Sequence, residues 1–288
     1  MMTEEKSKGI GVITEQGRTY LEVPHLEGRI YFDSIARGPN TYFHVASQLP
    51  ELDLEQPTMA QNASLVDAAW QNPKEQYSKE IINTLRQSYL RCFNGILYSQ
   101  KKEGAFIRDR PLIENEEIVM NASELESILS SREEDGVVYS EDGSVRFVPF
   151  GYKIGEQKAS ELEKNPFVIA LAGKEGAQKL ARVSENYKFR PYVSSFDEVD
   201  KDEVRVSSLY SDRGWDDGRL YVLGGYGFDD DRGVLTFGVS PLGEAQTRKF
   251  SKDKIDVIKE LNPNFDLNLK RQNLEEIYQE LGMILGKQ

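Results

Sequence analysis

The sequence contains very little cysteine and histidine: one Cys and two His among 288 residues. Cys92 alone cannot form an internal disulfide, which excludes a disulfide-stapled fold. A structural zinc site takes about four Cys or His ligands, and the chain offers only Cys92, His25 and His44. The nucleophile motif Gly-x-Ser-x-Gly is also absent. These shortages disfavour zinc sites and serine or cysteine hydrolysis, and we expect Cys92 to be a core thiol and His44 a structural histidine on a strand.

Long apolar runs and an excess of positive charge are missing as well. The longest uninterrupted apolar run covers residues 167–172, whereas a membrane helix needs about 20 apolar residues. Residues 1–9 contain no apolar segment of the kind that signal peptides carry. The formal net charge of -12 repels polyanions such as nucleic acids and anionic lipids. We therefore expect a cytoplasmic protein without membrane contact, which would reach nucleic acid only through a local basic patch.

The remaining composition is typical of a folded globular protein. Hydrophobic residues make up 39% and charged residues 29% of the chain. A chain of this length buries roughly 75% of its unfolded surface, enough for one large domain or two modest ones. Residues 149–157 carry Pro149, Gly151 and Gly155, which predict a joint. We therefore predict two α+β halves, 1–150 and 151–288, with a single domain as the alternative.

Several segments of the first half have the patterns of strands and helices. Residues 9–23 and 136–150 each show two apolar arms around a turn, which predicts two antiparallel hairpins, and residues 29–32 and 41–46 read as further strands. Thr58 and Gln61 form a capping box that predicts a helix ending before Pro73. A second helix is predicted to run from Pro73 to Asn94 and Gly95, with an apolar stripe that includes Leu85, Tyr89 and Cys92.

The second half has the same mixture. Asn165 and Pro166 predict a helix start, with interruptions at Gly173 and Gly176. Residues 204–209, 219–228 and 233–240 read as strands, the last two as a hairpin closed by residues 229–232. Two helices are predicted at the C-terminal end, where residues 274–284 carry an apolar stripe. The expected class is α+β, with antiparallel sheets and hairpins and peripheral helices.

The stretch 212–238 is unusually rich in aspartate and glycine. Its carboxylates offer the oxygen ligands that magnesium and calcium prefer, so Asp216, Asp217 and Asp230 are candidate metal ligands. Turn chemistry explains the same residues, because Asp and Gly tolerate the backbone angles of tight turns. The spacing does not fit a calcium-binding loop. Within this stretch, Gly224 and Gly225 interrupt a strand and predict a bulge or the close approach of another group.

A basic group of residues stands out against the acidic total. Tyr89, Tyr98 and Phe106 are interleaved with its cations, which favours an anion or single-stranded nucleic acid. Solvated charges and surface ion pairs are the alternative interpretation. The candidate anion-binding residues are Arg86, Arg91, Arg108 and Arg110, with Lys101 and Lys102 between them.

The favoured function is binding or assembly without a cofactor, through a protein partner or self-association. The count of 14 tyrosines supports it, because tyrosine gives rigid amphipathic contact area at low entropic cost. One alternative is a divalent-metal-dependent phosphoester hydrolase that uses the aspartate loops of residues 212–231. A second alternative is an RNA or small-anion binder that uses the Arg86 to Arg110 patch.

Overall fold

The fold combines β-sheets with flanking helices and belongs to the α+β class. The structure is a computed structural model, and it describes residues 9–15, 17–211, 218–226 and 234–241. The helices of this part of the chain are α1 (Tyr42–Glu51), α2 (Met59–Gln71), α3 (Gln76–Gln87), α4 (Ala122–Ser127), α5 (Ala159–Leu162) and α6 (Pro166–Ser184).

The strands come from the whole length of the described chain. In chain order they are β1 (Gly11–Glu15), β2 (Arg18–His25), β3 (Gly28–Asp33), β4 (Arg37–Asn40), β5 (Tyr89–Ser99), β6 (Gly104–Asp109), β7 (Leu112–Glu114), β8 (Glu117–Val119), β9 (Leu129–Glu134), β10 (Val137–Ser140), β11 (Val145–Pro149), β12 (Gly155–Glu156), β13 (Tyr192–Ser194), β14 (Glu203–Ser211), β15 (Leu220–Tyr226), β16 (Val234–Thr236) and β17 (Val239–Ser240).

The largest sheet has 11 strands, in the order β12-β13-β15-β14-β5-β6-β11-β10-β9, with β16 and β4 attached beside β5. Most neighbouring strands are antiparallel, whereas β13 with β15 and β16 with β5 are parallel. A second sheet of four strands has the order β1-β2-β3-β17, and β7 pairs with β8 in a separate hairpin. The large mixed sheet therefore fixes the positions of the side chains that its strands carry.

Both faces of the large sheet are covered near its central strand β5. Leu90 and Cys92 belong to the core shared with α2, α3 and α6. Phe93 packs on the other face with Tyr42 and other residues of α1, and with Ile118 of β8. Because successive side chains of a strand point to opposite faces, β5 is apolar on both sides and almost completely buried.

Helices α2 and α6 pack closely because small residues line their contact. A Cβ atom on Gly176 would lie 3.5 Å from the Ala60 Cα and 3.8 Å from the Ala63 Cβ. The predicted interruption at Gly173 is confirmed as a bend in α6, since its φ of 69° and ψ of 167° leave the helical region. At Gly176, in contrast, the helix continues.

Several local predictions are confirmed. The hairpins β1–β2 and β10–β11 form as antiparallel pairs. The capping box of α2 is present: the Gln61 backbone N–H donates to the Thr58 Oγ1 and the Thr58 N–H donates to the Gln61 side chain. Asn165 caps α6, since its Oδ1 accepts from the Phe167 N–H at 3.0 Å.

The prediction of a strand at residues 41–46 is wrong, because this segment begins α1. The Thr41 hydroxyl accepts from the His44 N–H at 3.3 Å and caps the helix. Tyr42, Val45 and Leu49 are buried on one side of the helix. Their spacing of three and four residues fits a helix, whereas the alternation of Tyr42, His44 and Ala46 fits a strand equally well, so the sequence pattern does not distinguish the two. His44 is therefore an exposed helical residue, whose Nε2 lies 2.9 Å from the Gln48 Nε2.

The predicted helix from Pro73 to Gly95 is also partly wrong. The helix α3 ends at Gln87, and the following residues, including Arg91 and Cys92, form β5. A central strand with two covered faces presents a continuous apolar run, so its apolar residues also satisfy the spacing of a helix. The core position of Cys92 is confirmed, since its side chain is 0% exposed.

The predicted hairpin between residues 219–228 and 233–240 does not form. The strand β15 pairs with β13 and β14, whereas β16 pairs with β4 and β5. The sequence patterns predict both strands, and β15 pairs with β14, the strand directly before it, but β16 takes partners from distant parts of the chain. The turn of residues 229–232 lies outside the described residues.

Strands from both predicted halves belong to the same large sheet. β14 pairs with β5 from Glu203↔Tyr98 to Leu209↔Leu90, across the proposed joint at Gly151. The described residues all fall within one compact unit that ends at Pro241. The division at Gly151 stays a prediction. The two C-terminal helices lie outside the described residues, and within these no helix is long and apolar enough to cross a membrane.

Candidate binding surface

Four tyrosine side chains lie side by side across four neighbouring strands of the large sheet. The ring centroids are 4.9 Å apart between Tyr89 and Tyr210, 5.8 Å between Tyr210 and Tyr221, and 5.7 Å between Tyr221 and Tyr192. The strands β5, β14, β15 and β13 supply them in this order. We refer to these four residues as the tyrosine ladder.

Backbone pairing fixes the tyrosine ladder on one face of the sheet. Tyr221 is the register partner of both Tyr210 and Tyr192. Residues adjacent in sequence to the four tyrosines point the opposite way, into the core with α2, α3 and α6: Leu90, Leu209, Val222 and Val193. The ladder therefore occupies the face of the sheet opposite these helices.

The ladder keeps contact with solvent. Tyr192 is 37% exposed, and Tyr89, Tyr210 and Tyr221 are partly buried. Adjacent, partly exposed tyrosine side chains combine apolar ring area with a polar phenol group. Such a combination is typical of protein-binding surfaces, where tyrosine is enriched.

One end of the ladder carries positive charge. The Arg219 guanidinium carbon and the Lys188 Nζ lie 5.5 Å and 5.4 Å from the Phe189 ring centroid, which they approach as cation–π partners. Arg219 also pairs with Glu156, with 3.1 Å between NH1 and Oε2. Arg190 is exposed two residues before Tyr192. We refer to Lys188, Arg190 and Arg219 as the basic end.

The four arginines of the predicted anion patch have separate environments. Arg86 is exposed on α3, and its guanidinium carbon lies 5.7 Å from the Trp70 ring centroid. Arg91 is fully buried in β5, 5.6 Å from the Tyr42 ring centroid. A buried and an exposed guanidinium do not share one solvent-facing surface, so the structure does not bring Arg86 and Arg91 together as a patch.

The other two predicted arginines lie further along the sheet. Arg108 is partly buried on β6. Arg110 follows this strand with its NH1 2.6 Å from a carboxylate oxygen of Glu55, and its Nε donates to the Gln56 carbonyl at 2.8 Å. These contacts already engage the Arg110 guanidinium with protein groups.

The predicted metal ligands Asp216, Asp217 and Asp230 lie outside the described residues, and their role stays a prediction. Among the residues that the structure does describe, no group of three or more His, Cys, Asp or Glu is placed to hold a metal ion.

Sequence reasoning missed a partly buried polar cluster at the end of β2. The Ser64 Oγ lies 2.8 Å from the His25 Nδ1 and 2.9 Å from the Lys179 Nζ. Lys179 also donates to the Pro24 carbonyl at 3.2 Å and pairs with Glu175 at 2.5 Å. The cluster joins β2 to α2 and α6. No local sequence pattern could predict it, because its members are up to 155 residues apart.

Burial and the charge of Lys179 shift the pKa values of two members of this cluster. Burial, and then the charge of Lys179, lower the pKa of His25 from its ordinary 6.5 to about 4. Burial alone would raise the pKa of Glu175, but the hydrogen bond and charge of Lys179 hold it below its ordinary value. Ser64 is only 2% exposed, so the arrangement serves as a structural link between elements and gives a substrate no access to the hydroxyl.

The glycine-rich strand β15 confirms a close approach of an aromatic ring. A Cβ atom on Gly224 would lie 2.4 Å from the Phe167 Cζ. The Gly224 carbonyl accepts from the Tyr98 hydroxyl at 3.0 Å, and the pairing of β14 with β15 shifts register between Val206 and Ser208. The glycine therefore admits an aromatic cluster of the core rather than a ligand.

Comparison of the chain with models of known protein families, with curated proteins and with solved structures gave no match.

Proposed function

We propose that the protein is a binding protein that docks a polypeptide partner on the tyrosine ladder, without a cofactor. The observation that carries this proposal is the row of four adjacent tyrosines on one face of the sheet. A buried tyrosine in an interface contributes ring contact area and a hydroxyl hydrogen bond while ordering only two side-chain angles. Four such rings side by side supply the aromatic centre that binding hot spots require.

The charges beside the ladder indicate the chemistry of the partner. The basic end groups Lys188 and Arg219 around Phe189, with Arg190 directly after it, while the chain as a whole has a formal net charge of -12. Positive charge at a binding surface attracts acidic groups and disfavours basic ones. The expected partner is therefore an extended segment with acidic residues at one end and apolar or aromatic residues along the ladder.

The same charges weigh against two other occupants. Two copies of the chain that met through this face would each carry a formal net charge of -12, which disfavours their association. The bases of a nucleic acid could stack on the tyrosines, but its phosphates would be repelled by the negative net charge of the molecule. We therefore rank a different protein above self-association and above RNA.

Selection of peptides on the immobilised full-length protein tests the proposal. A library of random 12-residue peptides is displayed on phage and selected in parallel on the parent and on a Tyr192→Ser, Tyr221→Ser variant. We expect the parent to enrich peptides that combine acidic with aromatic or apolar residues, and the variant to lose this enrichment. The same enrichment on both proteins would contradict the assignment to this surface.

Three further measurements test the alternative functions, which are RNA binding, self-association and metal-dependent hydrolysis. Anisotropy titrations with labelled poly(U) report on the RNA alternative, and sedimentation of the parent and the variant reports on self-association. Calorimetric titration with magnesium, manganese and calcium tests the hydrolase alternative: a single-site isotherm that is lost in Asp230→Ala would favour it over the binding function.

A further inference from the structure

A cleft of about 340 Å³ lies away from the tyrosine ladder, between the ends of β5 and β14 and the start of α4. Its apolar wall consists of Leu97 on β5, Val204 on β14 and Met120. Its polar rim carries Lys101 and Lys102, in the turn after β5, and Asp202, just before β14. The cleft is therefore apolar on one side and charged with both signs on the other.

Two of the three charged groups of the rim, Lys101 and Asp202, are available to a ligand. Asp202 uses Oδ1 to accept from the Ser99 hydroxyl at 3.0 Å and from the Gln100 N–H at 2.9 Å. These two bonds hold the carboxylate in place, and no contact within the described residues engages its Oδ2. Lys101 is exposed and forms no ion pair within the same residues. In contrast, the neighbouring Lys102 pairs with Glu126 at 2.5 Å.

We propose that this cleft binds a free α-amino acid with an apolar side chain. The Asp202 carboxylate would pair with the ammonium group, Lys101 with the carboxylate, and the side chain would lie against Leu97, Val204 and Met120. A simple anion is a poorer match because Asp202 repels it, and a simple cation is a poorer match because Lys101 repels it. The cleft volume falls at the lower end of the range for small-molecule sites, which suits a ligand of amino-acid size.

Ligands that differ by one group test this assignment. The probes are L-leucine, 4-methylpentanoate, which lacks the ammonium group, 3-methylbutylamine, which lacks the carboxylate, and glycine, which lacks the side chain. Each is titrated into the full-length protein up to ~10 mM, with saturable chemical-shift changes as the readout; affinity near 1 mM is reasonable for a ligand of this size. We expect saturable binding of leucine and at least about tenfold weaker binding of the other three.

Two variants connect the binding to the two charges. Asp202→Asn keeps an oxygen for the Ser99 and Gln100 bonds, and Lys101→Gln changes an exposed side chain, so both should fold like the parent. Asp202→Asn is expected to weaken leucine about tenfold or more without weakening 4-methylpentanoate, and Lys101→Gln to weaken leucine without weakening 3-methylbutylamine. Lys164→Gln, on the loop before α6, is the control and should change nothing. Failure of leucine to saturate, or equal leucine affinity of the parent and both variants, would overturn the proposal.

Discussion

At the scale of single residues, His25 shows how burial sets the protonation state of a side chain. Its ring lies against Ser64 and Lys179 and is neutral in the folded protein because its pKa is lowered to about 4. In the unfolded chain the imidazole takes up a proton near pH 6.5. The unfolded state therefore binds more protons between these values, and His25 stabilises the fold fully above pH 6.5 and progressively less as the pH falls towards 4.

We expect His25→Gln to show a smaller loss of stability than the parent between pH 6.5 and 4. Thermal melts at half-unit pH steps measure this difference. Because both proteins carry the same carboxylates, the effect of carboxylate titration on stability cancels in the comparison. His44→Gln is the matched control, since His44 is exposed on α1. Parallel curves of stability against pH for the parent and His25→Gln would show that protonation of His25 does not affect the stability of the fold.

Gly224 and Gly225 provide a second comparison at the residue scale. An added Cβ on Gly224 would meet the Phe167 Cζ at 2.4 Å, whereas on Gly225 its nearest contact is 3.7 Å away. We predict that Gly224→Ala lowers the free energy of unfolding by about 1–3 kcal/mol because the aromatic core must shift. Gly225→Ala should change it by less than about 1 kcal/mol. Urea unfolding measures both, and equal effects would contradict the close approach.

At the scale of elements, capping explains why α2 begins where it does. The Thr58 hydroxyl satisfies the Gln61 N–H, which the first turn leaves without a helical partner. Thr58→Ala is expected to cost about 0.5–2 kcal/mol of unfolding free energy. Thr58→Ser keeps the hydroxyl and should restore most of it. A Ser variant as unstable as the Ala variant would mean that the Thr58 methyl group, not the cap, is responsible.

The elements that the sequence predicted correctly carry their signals locally. The capping box at Thr58, the hairpin β10–β11 and the bend at Gly173 each depend on residues within a few positions of one another. The helix predicted up to Gly95 wrongly includes the start of β5, because burial on both faces removes the alternation of apolar and polar residues that marks a strand. The pairing of β16 with β4 and β5 depends on long-range topology, which no local pattern contains.

The candidate surface was predictable only in part for the same reason. The number of tyrosines favoured a binding surface, but the ladder joins Tyr89 to three residues more than 100 positions away. The Arg86 to Arg110 patch depends on a predicted helix that carries both Arg86 and Arg91, whereas Arg91 lies in the central strand β5 and is buried. Only the strand order shows which side chains become neighbours.

At the scale of the whole molecule, the large sheet connects the two segments that Gly151 separates. Gly151 has a φ of 103° and is exposed, so it is a reasonable cleavage site. We predict that fragments cut there stay together on size-exclusion chromatography in native buffer, because β14 is paired with β5, and that they separate in denaturant. Separation in native buffer would instead show two independent domains.

The central claim is that the tyrosine ladder binds a polypeptide. Its most direct test is the affinity of one peptide, selected on the parent, for two single variants measured by fluorescence anisotropy. Tyr192→Ser removes an exposed ring of the ladder, and Tyr139→Ser removes a partly buried ring on β10, whose cation–π contact is with Arg132 at 4.8 Å. We predict that Tyr192→Ser weakens binding about tenfold or more, the effect of losing a contact worth at least about 1.4 kcal/mol, while Tyr139→Ser leaves it unchanged. Equal affinities of the parent and Tyr192→Ser would contradict the account.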